Sequence, residues 1–240
     1  MTDRHDPSSE VIVERQGTLG RIRLNRPKAL NSLTLPMVRR IAAALDAFEA
    51  DAAVAAVLIT GEGERGLCAG GDIRALAESV RRGDDHAATF WREEYRLNAR
   101  ISHYPKPYIA LMDGITMGGG VGLSAHGRHR IVTESSRVAM PETGIGFLPD
   151  VGGTWLLSRQ ANEVGTYLAL TGEAVGASDA IFAGLADIFM PYEDHPRLVS
   201  ALADLPAGAG GAAVGEVVAG FARSVAATPL QAHLATVAAA

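Results

Sequence analysis

The chain of 240 residues contains one cysteine, Cys68, which excludes an intramolecular disulfide and any Cys-rich zinc or iron–sulfur centre and suits a reducing compartment. Aromatic residues are scarce, at 5%. No apolar run approaches the ~18–20 residues that span a bilayer, and the opening MTDRHDPSSE lacks the apolar stretch of a secretory signal. Basic charge is short as well. Lys and Arg number 22 against 27 Asp and Glu, a net charge of −5, which argues against a duplex nucleic-acid binder with a basic face for phosphates. The expectation is a cytoplasmic protein without nucleic-acid or membrane partners.

Apolar residues, at 48%, and charged residues, at 20%, are near the averages for folded domains. The length fits one large domain or two small ones. Glycine is in excess, 27 residues where ~7% is usual, and the glycines cluster.

Val11–Glu14 and Gly20–Leu24 predict a hairpin around Gly17. Met37, Ile41, Leu45 and Phe48 recur at helical spacing behind Pro36. Ala52–Thr60 and Tyr108–Met112 are nearly continuous apolar runs, expected of strands covered on both faces. Gly61–Gly71 is a loop ending at Asp72, which stands where a helix N-cap belongs. A second helix is expected over His86–Ile101, short strands over His129–Thr133 and Arg137–Met140, and mostly helix from Glu163. LADLPAGAGGAAVG looks like a linker, and the alanine-rich end favours helix.

Twice a strand leads through glycines into a helix: at Cys68-Ala69-Gly70-Gly71-Asp72 and at Met117-Gly118-Gly119-Gly120. Such turns present N–H groups to an oxyanion or phosphate, and the Gly71 and Gly119 amides could converge on one site; the alternative is ordinary turn glycine. The stretch Gly120–Ala125 matches a dinucleotide fingerprint but lacks its βαβ context. In the apolar, proline-fenced segment Met140–Asp150, Glu142 and Asp150 lie eight residues apart. Burial there would raise their pKa values and suit acid–base or nucleophilic work; the alternative is that they cap a turn and a helix. Cys68, His126 and His129 read more simply as packed or surface residues than as a nucleophile or metal ligands.

Arg26–Leu33, Leu67–Arg74 and Lys106-Pro107 through Gly114–Gly120 together resemble the crotonase (enoyl-CoA hydratase/isomerase) superfamily. Glu94-Tyr95 with Asn98, GITMGGGVGLSAHG, MPETGIG and Pro149–Gly153 are similar to its 3-hydroxyisobutyryl-CoA hydrolase branch. The resemblance covers roughly residues 10–195 and implies an α/β (α+β) spiral of ββα turns with two roughly perpendicular sheets. It implies one acyl-CoA-binding catalytic domain over 10–195. Residues 196–240 would form a C-terminal helical segment, short relative to the family, and the usual assembly is a trimer.

The resemblance further implies thioester hydrolysis of 3-hydroxyisobutyryl-CoA in valine catabolism. CoA is then part of the substrate, and neither a cofactor nor a metal is needed. Gly71 and Gly119 would form the oxyanion hole and Glu142 and Asp150 would be catalytic, joined by Glu94 and Gly119 in binding the acyl group. Arg26, Lys28, Ala29, Ala69, Gly70, Asp72 and Ile73 would hold CoA. Hydratases of the family carry a glutamate where this chain has Gly122 and keep a second where it has Glu142. The competing readings are another crotonase hydratase or isomerase, and an acyl-CoA-binding protein without turnover.

Overall fold

The computed structural model describes residues 10–159, 163–226 and 228–232. Strands β1 (Val11–Gln16) and β2 (Leu19–Leu24) form the expected hairpin, paired antiparallel. Its turn glycine, Gly17, has φ +56°, and a Cβ there would stand 2.1 Å from the Ala203 carbonyl oxygen. Helix α1 (Leu35–Ala50) is capped by Thr34, whose hydroxyl accepts from the Met37 amide, and carries Pro36 in its first turn, where no intrahelical donor is lost.

The chain then builds a six-stranded sheet in the order β1-β2-β3-β4-β6-β8, parallel from β2 onward, using β3 (Ala56–Gly61), β4 (Tyr108–Met112), β6 (His129–Val132) and β8 (Ile188–Phe189). β3 begins four residues later than its apolar run suggests. Asp51 explains this: its carboxylate accepts from the Ala53 amide and its carbonyl from the Val54 amide, turning the chain before the ladder starts.

A second, two-stranded sheet pairs β5 (Ile115–Met117) with β7 (Arg137–Ala139). Isolated bridges Cys68–Thr116 and Val138–Val175 extend it on either side. Successive passes of the chain thus leave one strand in the large sheet and a short extended piece in the small one, the α/β spiral the resemblance implies.

Helices α2 (Ile73–Arg82), α3 (His86–Ser102), α4 (Gly119–Ser124), α5 (Gly153–Leu157), α6 (Val164–Thr171) and α7 (Ala177–Phe182) follow in chain order. Next come α8 (His195–Ala203), α9 (Gly211–Gly220) and α10 (Pro229–Ala232). Both faces of the sheet are buried. Val57 and Ile59 of β3 join the core under α1 and α3, while Ala56 and Leu58 join a second apolar cluster with Leu198, Leu202, Val214 and Val218. That cluster corrects the linker expectation. The end of the glycine- and alanine-rich stretch, from Gly211, is α9, because Val214 and Val218, one turn apart, bury against the sheet. The alanine-rich end expected to be helical lies, from residue 233 on, outside the described residues. Among the described residues no helix is long and apolar enough to cross a membrane.

Candidate active site

A cleft of about 670 Å³ opens between α2, α3, the start of α4 and the loop from Pro141 to Asp150. Ala69, Gly70, Gly71, Ile73, Glu94, Gly119, Glu142 and Asp150 all line it. Eight residues expected at a site from sequence therefore meet in one place, drawn from four separate segments of the chain.

The glycine side is shaped for close approach. Leu33 and Asp72 donate to the carbonyls of Gly70 and Leu33, at 2.8 and 2.9 Å, tying the Gly70–Asp72 turn to the chain before α1. Neither the Gly71 nor the Gly119 amide donates to any backbone acceptor among the described residues. The two are neighbours: a Cβ on Gly119 would stand 3.4 Å from the Gly71 nitrogen and 2.4 Å from Glu94 Oε1. Only glycine at 119 leaves that space open. Gly118, at φ +50°, likewise lies against Glu142, whose Oε1 would be 2.9 Å from an added Cβ.

Helix α3 supplies the opposite wall. Phe90, Glu94 and Asn98 repeat every four residues and share its buried face. Glu94 is 2% exposed and its Oε1 has no hydrogen-bond partner; burial, then the charges of Asp150 and Glu142, raise its pKa to about 8. Glu142 opens a 3-10 turn (Glu142–Ile145) and is 7% exposed. Its Oε2 is buried without a partner, and burial, opposed by a backbone hydrogen bond, lifts its pKa to about 7. Burial also pushes Asp150 upward, against the Tyr95 hydroxyl, which donates to Asp150 Oδ2 at 2.6 Å.

Apart from the exposed Arg81, the rim of the cleft is apolar: Val80 from α2 and Ile145 beyond Glu142 are exposed, and Phe147 stacks on Trp91 with ring centroids 5.9 Å apart. Sequence reading missed these rim residues, and it named Tyr95 only as part of a motif, without its contact to Asp150. Helical spacing from Phe90 could have flagged Trp91 and Tyr95 as flanking the buried face.

The remaining expected CoA residues stand elsewhere. Lys28 and Ala29 are exposed on a 3-10 turn (Pro27–Ala29). Arg26 is taken up by Glu10 at 3.0 Å, Asp72 at 3.1 Å and the Ser32 carbonyl at 2.6 Å. Asp72 caps α2 through the Ala75 amide. Arg26 and Asp72 are thus bound to one another, to Glu10 and Ser32, and to the first turn of α2. Cys68 is fully buried, which pushes its thiol up to about 12, as expected of a packed residue.

Gly122 is enclosed. A Cβ there would stand 2.8 Å from Val151 Cβ and 2.9 Å from Asn98 Nδ2. A glutamate at this position has no room without moving both neighbours.

A family model described as enoyl-CoA hydratase/isomerase matches residues 19–240. The 3-hydroxyisobutyryl-CoA hydrolase, mitochondrial, of Danio rerio is 50% identical over 82% of this chain and 52% of its own length. The protein of the same name from Homo sapiens is 47% identical over 80% of this chain and 50% of its own. The chain thus spans about half the length of the curated relatives it matches. Among solved structures, a carnitinyl-CoA dehydratase from Mycobacterium thermoresistibile superposes with a TM-score of 0.89 at 47% identity, covering 96% of this chain and 66% of that one. An enoyl-CoA hydratase from Rhodobacter sphaeroides gives a TM-score of 0.79 at 45% identity, covering 95% and 74%.

Proposed function

Because the chain belongs to the enoyl-CoA hydratase/isomerase family, we propose that it hydrolyses the thioester of a short 3-hydroxyacyl-CoA, 3-hydroxyisobutyryl-CoA in the first instance, as an enzyme of valine catabolism. The observation that carries this reading is the pairing of two features. Glu142 and Asp150 share the cleft with the unengaged Gly71 and Gly119 amides, while the space for a second hydratase glutamate at Gly122 is filled by Val151 and Asn98.

In this mechanism the Gly71 and Gly119 amides form the oxyanion hole and polarise the thioester carbonyl; one such donor is worth about 2.7–4 kcal/mol in the transition state. Glu142 either attacks the carbonyl carbon, giving a mixed anhydride that water then opens, or takes the proton of the water that attacks. Its pKa near 7 suits the second role at neutral pH. On either route the C–S bond breaks and the thiolate of CoA takes up a proton. Asp150, held by Tyr95, binds the 3-hydroxyl or relays that proton, and Glu94 fixes the hydroxyacyl end. Ala69, Gly70 and Ile73, which line the cleft, and exposed Lys28 with Ala29 belong to the CoA path. For Arg26 and Asp72 the proposed contribution is to hold the glycine turn. We further propose a homotrimer in a reducing compartment, for which the cytoplasm and the mitochondrion named for the relatives both qualify.

The solved neighbours named as a dehydratase and a hydratase favour addition or loss of water as a second reading, and a non-catalytic acyl-CoA binder is the third. Thiol release from (S)-3-hydroxyisobutyryl-CoA, followed with a thiol-reactive dye, separates them when crotonyl-CoA hydration is run in parallel. The thioesterase reading predicts catalytic thiol release with little hydration. Hydration without thiol release supports the second reading, and CoA binding without either supports the third.

A further inference from the structure

Asp150 heads a loop whose backbone is held in an unfavourable conformation. Val151 has φ +43° and Gly152 +81°; a β-branched residue in that region is a genuine outlier that persists only where its surroundings over-determine it. Val151 is buried, and its Cβ lies 2.8 Å from where a Cβ on Gly122 would stand, so the missing side chain of Gly122 is the socket in which Val151 sits. The Val151 carbonyl oxygen is 2.7 Å from His126 Nε2, and since a carbonyl can only accept, Nε2 carries the donating proton. Gly152 lets the imidazole approach, because a Cβ there would stand 2.7 Å from His126 Cε1.

These contacts converge on one short element. Helix α4 begins with Gly119, which lines the cleft, carries Gly122 in its middle, and is followed two residues past its end by His126. We infer that Gly122 and His126 are positioning residues, which grip Val151 by its side chain and its carbonyl and thereby fix the Asp150 carboxylate at a set distance from the Gly119 amide. The exchange of a glutamate for Gly122 is then a gain as well as a loss: it removes one acid and seats the loop that delivers another. This inference rests on the thioesterase reading for its kinetic consequences, while its geometric content stands apart from it.

The test measures kcat and KM for thiol release, together with crystal structures, for His126→Leu, His126→Gln and Gly122→Ala. A misplacement of about 1 Å at a reacting group costs ~10²-fold. His126→Leu is expected to lose about that much in kcat with KM within about threefold. His126→Gln, which keeps an N–H donor, regains most of it. In the crystals of His126→Leu and Gly122→Ala the Asp150 carboxylate leaves the Tyr95 hydroxyl. Equal losses for the leucine and glutamine variants, or an unmoved Asp150, overturn the inference.

If Gly122→Ala does not fold, Gly122→Ala combined with Val151→Gly makes room for the added methyl. Recovery of folding supports the socket, and failure of both overturns it. A wild-type chain that releases no thiol refutes the thioesterase reading, and the position of Asp150 in the variant crystals then decides the inference separately.

Discussion

Two groups of acids flank the same glycine turn, and they are provided for in opposite ways. Outside the cleft, Glu10 and Asp72 meet the guanidinium of Arg26 at 3.0 and 3.1 Å. Inside it, Glu94, Glu142 and Asp150 lie buried or half-buried, and among the described residues none of them has an ion pair. Glu94 Oε1 and Glu142 Oε2 lack even a hydrogen-bond donor. A guanidinium between two carboxylates ties them together, whereas burial without a cation disfavours the charged form of Glu94 and Glu142. The first arrangement stabilises a turn; the second costs stability and yields groups that exchange protons near neutral pH.

The sharpest way to break the contrast is Glu142→Gln. The expected outcome is a fall in kcat of ~10³-fold or more with the melting temperature held or raised, checked by thiol release and thermal unfolding. A loss of activity matched by a loss of fold would make Glu142 a structural residue like Asp72.

Arg26→Gln addresses the other group. Charge-assisted hydrogen bonds are worth about 1.5–3 kcal/mol each in favourable settings, and the partial exposure of this guanidinium lowers that value. Tm is expected to fall, while KM for the CoA ester changes by less than about threefold. A raised KM at unchanged Tm would make Arg26 a phosphate contact.

Glu94→Gln sharpens the contrast through pH. With its pKa raised from 4.5 to about 8 in the folded chain, Glu94 keeps a proton that the unfolded chain has lost. Stability therefore declines as pH rises from about 4.5 to 8 and levels off above. The glutamine variant lacks that decline, so its Tm advantage over the wild type grows between pH 5 and pH 8, by ~2–4 °C for each kcal/mol relieved. An advantage independent of pH would show that Glu94 ionises normally.

The smallest effect is expected at Cys68, whose thiol is pushed up to about 12 by burial. The native chain should leave a thiol-reactive dye uncoloured and yield one equivalent only when unfolded, which thiol counting with and without guanidinium checks.

Local chemistry was legible from the residues alone. Pro36 marks the start of α1, Asp72 caps α2, and the glycines at 70–71 and 118–120 mark the two turns that meet in the cleft. The family motifs added Glu94 and the pairing of Glu142 with Asp150. What escaped was long-range. The Arg26–Asp72 contact spans 46 residues and Tyr95–Asp150 spans 55, distances across which spacing says nothing. The start of β3 and the helix at Val214 were misjudged for a related reason. An Asp51 turn and burial against a distant sheet decided them, and apolar continuity or glycine content did not. Val151 at positive φ runs against its own local preference, so only its tertiary partners account for it.

At the centre stands the retention of protons by Glu94 and Glu142 into the neutral range, through burial without a cation. Carbon-13 NMR of the chain labelled at the glutamate carboxyl carbons, titrated from pH 4 to pH 9, tests it most directly. The account predicts two carboxyl signals with midpoints near 7 and 8, one lost in Glu142→Gln and the other in Glu94→Gln. Midpoints for every glutamate below about 5.5, well within the ordinary carboxylate range, would contradict it.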